Sequence, residues 1–347
     1  MTLLRPLALT AAMTATAAAG GEIEDSLQTS VDAGDLPGLH GVLVQRQNEI
    51  LAEIYFAGED ERWGSPLGSR RFGPGELHDL RSVSKSIVSL LYGIALAQGL
   101  VPPPSAPLLA QFPEHADLAT PEREAITVED ALTMQLGLQW DESLPYSDPR
   151  NSEIAMERSG DRIRYVLSRP LVTAPGEHWV YSGGATTLLA ELITRGSGMA
   201  LDDFARENLF APLGIERMDW ANGLDGRPAA ASGLRLTARG LARIGEMIAN
   251  GGRSGGKQIV PAGWLEQSLT PHADTGDLRY GYQWWLAPEG NPPVWAAGFG
   301  NGGQRLTISQ MTGTVVVIQA GNYNQPDAWQ MPVAVLTKHI LPNLPRK

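Results

Sequence analysis

Ser82 and Lys85 stand three residues apart in Arg81-Ser82-Val83-Ser84-Lys85-Ser86, directly before the apolar residues Ile87, Val88, Leu90, Leu91 and Ile94. Residues at that separation share one face of a helix, so a hydroxyl and an amine can point into one cleft. A helix beginning near Ser82 adds unpaired N–H groups and the positive end of the helix dipole, which favour an alkoxide or a developing oxyanion. Burial of Lys85 among Ile87, Val88 and Leu90 disfavours its charged form, so the sequence predicts a lowered lysine pKa and a free amine able to take the serine proton. The chemistry this predicts is acyl transfer to a serine with a lysine base. Only four lysines occur, Lys85, Lys257, Lys338 and Lys347, and every other side-chain cation that is not histidine is arginine. Unlike arginine, a lysine can be neutralised.

The same spacing recurs at Ser254-Gly255-Gly256-Lys257, where Gly252, Ser254 and Gly256 also spell a nucleophile elbow. An elbow needs a strand before it and a helix after it. Here a helical pattern (Leu241, Ile244, Met247, Ile248) precedes and a strand-like Gln258-Ile259-Val260 follows, so this stretch reads as a helix-stopping loop. Taken alone, Ser82 and Lys85 also fit an ordinary capped helix with a snorkelling lysine.

The elements that must position these groups come from a chain of 347 residues, 43% hydrophobic, with 39 Gly and 25 Pro. That suits a loop-rich globular protein of one large domain or two intimate subdomains. A net charge of -11, with no basic run, argues against nucleic-acid or anionic-membrane partners. With no cysteine, disulfides and thiol chemistry are excluded, and the scattered histidines (His40, His78, His115, His178, His272, His339) show no zinc-ligand spacing. Nothing calls for a metal or organic cofactor. Residues 1–19, with Arg5, an Ala/Leu/Thr stretch and Ala17-Ala18-Ala19, read as a secretory signal peptide and predict a periplasmic or secreted protein; a disordered leader is the alternative. No later apolar run is long enough to span a bilayer.

Residues 22–33 read as a helix, and Gly41–Gln45 and Ile50–Phe56 as an antiparallel hairpin. A Gly/Pro loop precedes the Ser82 helix, which Gly99 and Pro102-Pro103-Pro104 stop. Helices are then expected after Thr127-x-x-Asp130, over Asp161–Ser168, Ala185–Ile193 and Leu201–Phe210. Strands return at Tyr282–Leu286, Arg305–Ile308 and Thr314–Gln319, before a helix over Ala328–Ile340. This predicts an α/β (α+β) fold: an antiparallel sheet flanked by the first and last helices, with an inserted helical subdomain and a ligand cleft between them. The sheet subdomain is placed at about 20–100 and 275–347, the helical one at about 101–274.

Two further segments share the logic of Ser82. Tyr181-Ser182-Gly183 opens a helix, where a phenol can relay protons, and Ala297-Gly298-Phe299-Gly300-Asn301-Gly302-Gly303-Gln304 precedes a strand, where glycines let backbone N–H groups approach a reacting carbonyl. In this order the chain resembles the penicillin-recognising serine hydrolases, the group of class C β-lactamases, D-alanyl-D-alanine carboxypeptidases and carboxylesterases, over most of residues 38–322. Within it the chain is most similar to the 6-aminohexanoate-dimer hydrolase branch. The similarity lies in Arg81–Ser86, Leu132–Glu142 (LTMQLGLQWDE), Tyr181-Ser182-Gly183-Gly184 and Gly302-Gly303-Gln304.

The resemblance implies a β-lactamase/transpeptidase-like fold in residues 20–347. It also implies that Ser82 is acylated, that Lys85 accepts its proton, and that Tyr181 relays protons to the leaving group and from the attacking water. The oxyanion hole would be the N–H of Ser82 with that of Gly300, Phe299 or Asn301, Gly300 being favoured. Tyr146, Gly183 and Asn301 are weaker substrate-binding candidates, Tyr146 equally fitting an exposed loop aromatic. β-Lactamases of this type usually carry Asn at the third place of the tyrosine motif and Lys at the head of the last one; this chain has Gly183 and Ala297. Unless Arg305 substitutes for that lysine, an anionic substrate lacks its charge partner. A small neutral ester or linear amide is therefore the expected substrate. A β-lactamase or D-alanyl-D-alanine carboxypeptidase is the alternative, and a non-catalytic cell-wall peptide-binding protein the alternative of another class. The oligomeric state is left open.

Overall fold

A computed structural model describes residues 20–345; the stretch 1–19, read as a signal peptide, lies outside the described residues. Helix α1 covers residues 20–32. Strands β1 (Leu39–Arg46) and β2 (Glu49–Tyr55) form the expected hairpin. Where the sequence suggests a Gly/Pro loop, the chain instead forms a second hairpin, β3 (Ala57–Arg62) and β4 (Ser65–Arg71), with Trp63 and Gly64 at its tip. Both strands are mostly exposed and poor in apolar residues, so no alternation of apolar and polar residues betrays them. Strand β5 (His78–Asp79) leads into helix α2 (Val83–Ala97), every residue of which from Val83 to Ala95 is buried.

Helices α3 (Pro121–Glu124), α4 (Val128–Leu132), α5 (Ser152–Glu157), α6 (Arg162–Leu167), α7 (Gly183–Ser197) and α8 (Leu201–Ala205) build the helical part. Their starts follow local chemistry: Thr127 and Asp130 form a reciprocal capping box, Asp161 caps α6, and Ser182 caps α7. Strands β6 (Met218–Trp220) and β7 (Leu234–Leu236) join β5 in a small sheet ordered β5-β7-β6. Helix α9 (Ala238–Ala249) precedes a small hairpin of β8 (Arg253–Ser254) and β9 (Lys257–Gln258), then helix α10 (Ala262–Ser268). Ser254 and Lys257 thus face one another across a two-residue turn, away from any helix start.

The chain closes with β10 (Ala273–Asp274), β11 (Arg279–Tyr280), β12 (Trp285–Leu286), β13 (Ala296–Gly300), β14 (Gln304–Ser309), β15 (Thr314–Ala320) and helix α11 (Gln330–Ala334), which continues as a π-helical stretch to Ile340. The main sheet is antiparallel and ordered β10-β11-β12-β13-β14-β15-β1-β2, so the last strand of the chain pairs with the first, and β2 forms the edge. One face packs Val42, Val44, Val316 and Ile318 against α1 and the C-terminal helix; the other packs Leu43, Leu306, Ile308, Val315 and Val317 against α2 and α9.

Two expectations need correction. The strand expected over Tyr282–Leu286 shrinks to Trp285–Leu286, because Gln283 adopts φ 65° and its side chain donates to the Ala131 and Leu132 carbonyls while accepting from Thr186. The helical part does not run to 274, since α9 lies on the main sheet, with its Gly245 packed against Val315 and Leu306.

Candidate active site

Ser82 ends a short, tightly held lead-in. Leu80 donates its N–H to the Leu234 carbonyl at 2.9 Å, which docks the segment on β7. Arg81 then takes φ 49°, a left-handed conformation that is costly for a side chain of this kind. Its guanidinium is fixed by an ion pair with Glu61, by Asp79 at 3.2 Å, and by the Tyr323 ring, 4.8 Å from centroid to guanidinium carbon. The strain is compensated by a network that does not use the Ser82 hydroxyl: Ser82 stands at the N-cap of α2 but its side chain caps nothing. Val83, Ser84 and Lys85 spend their N–H groups on Leu80, Arg81 and Ser82 carbonyls, whereas that of Ser82 has no partner among the described residues.

The structure brings Lys85 and Tyr181 to that hydroxyl. Lys85 Nζ donates to Ser82 Oγ at 3.0 Å, to Glu153 Oε2 at 3.1 Å and to the Ala231 carbonyl at 3.2 Å. The Tyr181 ring lies 4.9 Å from Lys85 Nζ, and its phenol interacts with both Lys85 and Ser82. Stacking on Trp285, with centroids 5.7 Å apart, fixes the phenol from behind. Burial and the neighbouring acids raise the Tyr181 pKa although Lys85 pulls it down, so the phenol is neutral near pH 7.

The lysine corrects the expectation from sequence. It is buried, and burial does oppose its charge, but Glu153, Tyr181 and Glu142 outweigh that and hold its pKa above the ordinary lysine value. Lys85 therefore rests as an ammonium paired with Glu153. The sequence reading missed Glu153, because its neighbours form no motif and only the tertiary fold carries it 68 positions along the chain to Lys85. The same is true of Ser232, whose hydroxyl donates to Glu153 Oε1 at 2.7 Å, and of Trp63, whose indole N–H donates to Ser232 Oγ at 3.1 Å.

A second carboxylate, Glu142, accepts the Gly183 N–H at 2.6 Å, the Trp140 indole N–H at 2.6 Å and the Tyr146 hydroxyl at 2.8 Å. It sits at the start of α7, where the dipole favours negative charge, yet burial and Glu153 push its pKa up to about 7. Tyr146 and Asn301 line a cleft of 610 Å³ that opens on Ser82. Asn301 is tied down by Asn324, accepting its N–H at 2.9 Å and donating to its side chain at 2.8 Å. Gly183, the third substrate-binding candidate, does not line the cleft, and its N–H is spent on Glu142. Gly300 packs directly on the lead-in: a Cβ there would stand 2.3 Å from the Leu80 carbonyl oxygen and 3.1 Å from the Arg81 Cβ. Arg305 does not take the place of a cleft cation; its guanidinium lies 4.0 Å from the Phe299 ring centroid and outside the cleft lining.

Among the described residues no cluster of three or more His, Asp or Glu side chains could hold a metal, and no helix is long and apolar enough to cross a membrane. The arrangement supports nucleophilic acyl transfer: a lysine and a phenol converge on a hydroxyl that caps no helix, and an unpartnered N–H sits at the same residue.

Comparison with known proteins agrees. The Beta-lactamase family model matches residues 23–335. The 6-aminohexanoate-dimer hydrolase of Paenarthrobacter ureafaciens is 28% identical over 309 residues, covering 82% of this chain and 73% of its own. Among solved structures, a class C β-lactamase superposes with TM-score 0.69 at 18% identity, covering 95% of this chain and 97% of its own. A family VIII carboxylesterase does so with TM-score 0.67 at 16% identity, covering 91% and 96%. With the family model spanning most of its length and the fold shared with these enzymes, the chain belongs to the Beta-lactamase family and is a serine hydrolase of that family.

Proposed function

We propose that the chain hydrolyses neutral esters or linear amides through an acyl-enzyme on Ser82. Its hydroxyl attacks the substrate carbonyl as Lys85 accepts the proton; Tyr181, a neutral phenol, passes a proton to the leaving alcohol or amine. The N–H of Ser82, with that of Gly300, faces the oxyanion. Water then enters by the reverse relay and releases the acid.

The observation that carries this reading is the 3.0 Å contact of Lys85 Nζ with a Ser82 hydroxyl that caps nothing and opens into the cleft. The substrate class rests on charge. Two arginines line the cleft, Arg81, paired with Glu61 and Asp79, and the exposed Arg158, against the glutamates Glu61, Glu153 and Glu157; Arg305 lies elsewhere, and Ala297 stands where the related β-lactamases carry lysine. The similarity to a 6-aminohexanoate-dimer hydrolase favours linear amides beside esters. A panel of p-nitrophenyl esters, linear oligoamides, D-alanyl-D-alanine peptides and nitrocefin tests the ranking. The expected result is turnover of esters or linear amides at least 100-fold above nitrocefin and the D-peptide. A preference for either of the latter would overturn it.

A further inference from the structure

A lysine that rests as an ammonium cannot take a proton from Ser82 until it has given one up, and the fold places one carboxylate where that proton can go. Glu153 Oε2 lies 3.1 Å from Lys85 Nζ, which is itself 3.0 Å from Ser82 Oγ. The other oxygen, Oε1, is held by the Ser232 hydroxyl at 2.7 Å, and Ser232 is held in turn by the Trp63 indole N–H at the tip of the β3–β4 hairpin. The carboxylate is thus aimed, not merely nearby. A second observation shows how closely the site is built around it. A Cβ at position 183 would stand 2.3 Å from Glu153 Oε2, so the glycine in the tyrosine motif is what admits the carboxylate to the lysine. An asparagine there, as the related β-lactamases carry, would have to displace it.

We propose that Glu153 is the positioning residue of the reaction, holding Lys85 against Ser82 and taking up the lysine proton so that the amine can act. One N–H bond of the ammonium breaks, its electron pair stays on Nζ, and the proton bonds to Glu153 Oε2. The freed pair then takes the Ser82 proton while Oγ bonds to the substrate carbonyl carbon and the carbonyl electrons move to its oxygen. The transfer leaves the pair's net charge unchanged, so it needs no counter-ion from solvent. The charged and titratable groups facing the pair are Glu142, Tyr146 and Tyr181 from the helical side, Glu157 on the same helix, and Arg81 before the nucleophile. This inference rests on Ser82 being the nucleophile, so its test reads that separately.

The experiment follows the rate at which a fluorophosphonate probe modifies Ser82, by intact-protein mass spectrometry, between pH 5 and 10. In the wild type the rate should stay nearly flat from pH 9 down to about 6, because the lysine–glutamate pair carries its own acceptor. Glu153→Gln should fall at least tenfold at pH 7 and acquire an ascending limb with pH, as an amine titrating without a partner carboxylate requires. Glu153→Asp, which keeps the carboxylate, should keep the flat profile at a lower rate. A wild-type rate that falls tenfold per pH unit below pH 9 would overturn the proposal even if the glutamine variant failed to fold. So would a Glu153→Gln profile parallel to the wild type. Absence of any adduct on Ser82 would instead refute the serine mechanism beneath it.

Discussion

At the scale of single residues, Ser82, Lys85 and Tyr181 were legible because each announces itself locally: two share a helical spacing and the third opens a capped helix. Their ionisation was not legible. The apolar neighbours of Lys85 in sequence argue for a neutral amine, but Glu153, brought in by the tertiary fold, reverses the sign. Gly300 shows the same limit from the other side. Sequence marks it as a backbone that can approach a carbonyl, whereas the structure shows what it approaches, the Leu80–Arg81 lead-in. Gly300→Ala would drive a Cβ against that carbonyl oxygen, at 2.3 Å, and must push Arg81 and Ser82 aside. Overpacking of this kind costs about 1–3 kcal/mol. Ester turnover and thermal melting on the purified variant should show kcat reduced by at least tenfold with a folded protein; unchanged kcat would separate Gly300 from the nucleophile.

At the scale of elements, the strands that carry apolar alternation or full burial were readable, notably β1, β14 and β15, since a central strand covered on both faces must be apolar throughout. Capped helices were readable for the same local reasons. The β3–β4 hairpin was hidden, because it buries little and carries few apolar residues. Its importance lies in what its tip touches: Trp63 donates its N–H to Asp79 at 2.7 Å and its indole N–H to Ser232. The hairpin thereby braces both the lead-in to Ser82 and the carboxylate beside Lys85. The boundary of the helical part was misplaced because α9 has the periodicity of any amphipathic helix, and periodicity does not say which layer its apolar face will meet.

At the scale of the whole molecule, buried ionisable groups give stability an optimum. His40 and His78 are held neutral by burial, with pKa values lowered to about 3 and about 4, so the fold loses stability as acid charges them in the unfolded chain below about pH 6.5. Asp79, Glu142 and Glu157 are raised to about 7, chiefly by burial, so their contributions are full at low pH and are lost as pH rises through 7. Because three such acids outweigh two histidines between the unfolded and folded carboxyl pKa values, melting temperature should fall by several degrees between about pH 5 and 7 and level off above that. Glu142→Gln, which cannot titrate, should show a shallower fall between about pH 5 and 7; parallel curves would remove Glu142 from the account. All of this serves one central claim, that Ser82 becomes acylated. Intact-protein mass spectrometry after brief exposure to an activated ester tests it most directly. The account predicts one acyl group on the wild type, mapped to Ser82, and none on Ser82→Ala, which should have lost hydrolysis by at least 1,000-fold. An adduct on another residue, or hydrolysis surviving in Ser82→Ala, would contradict it.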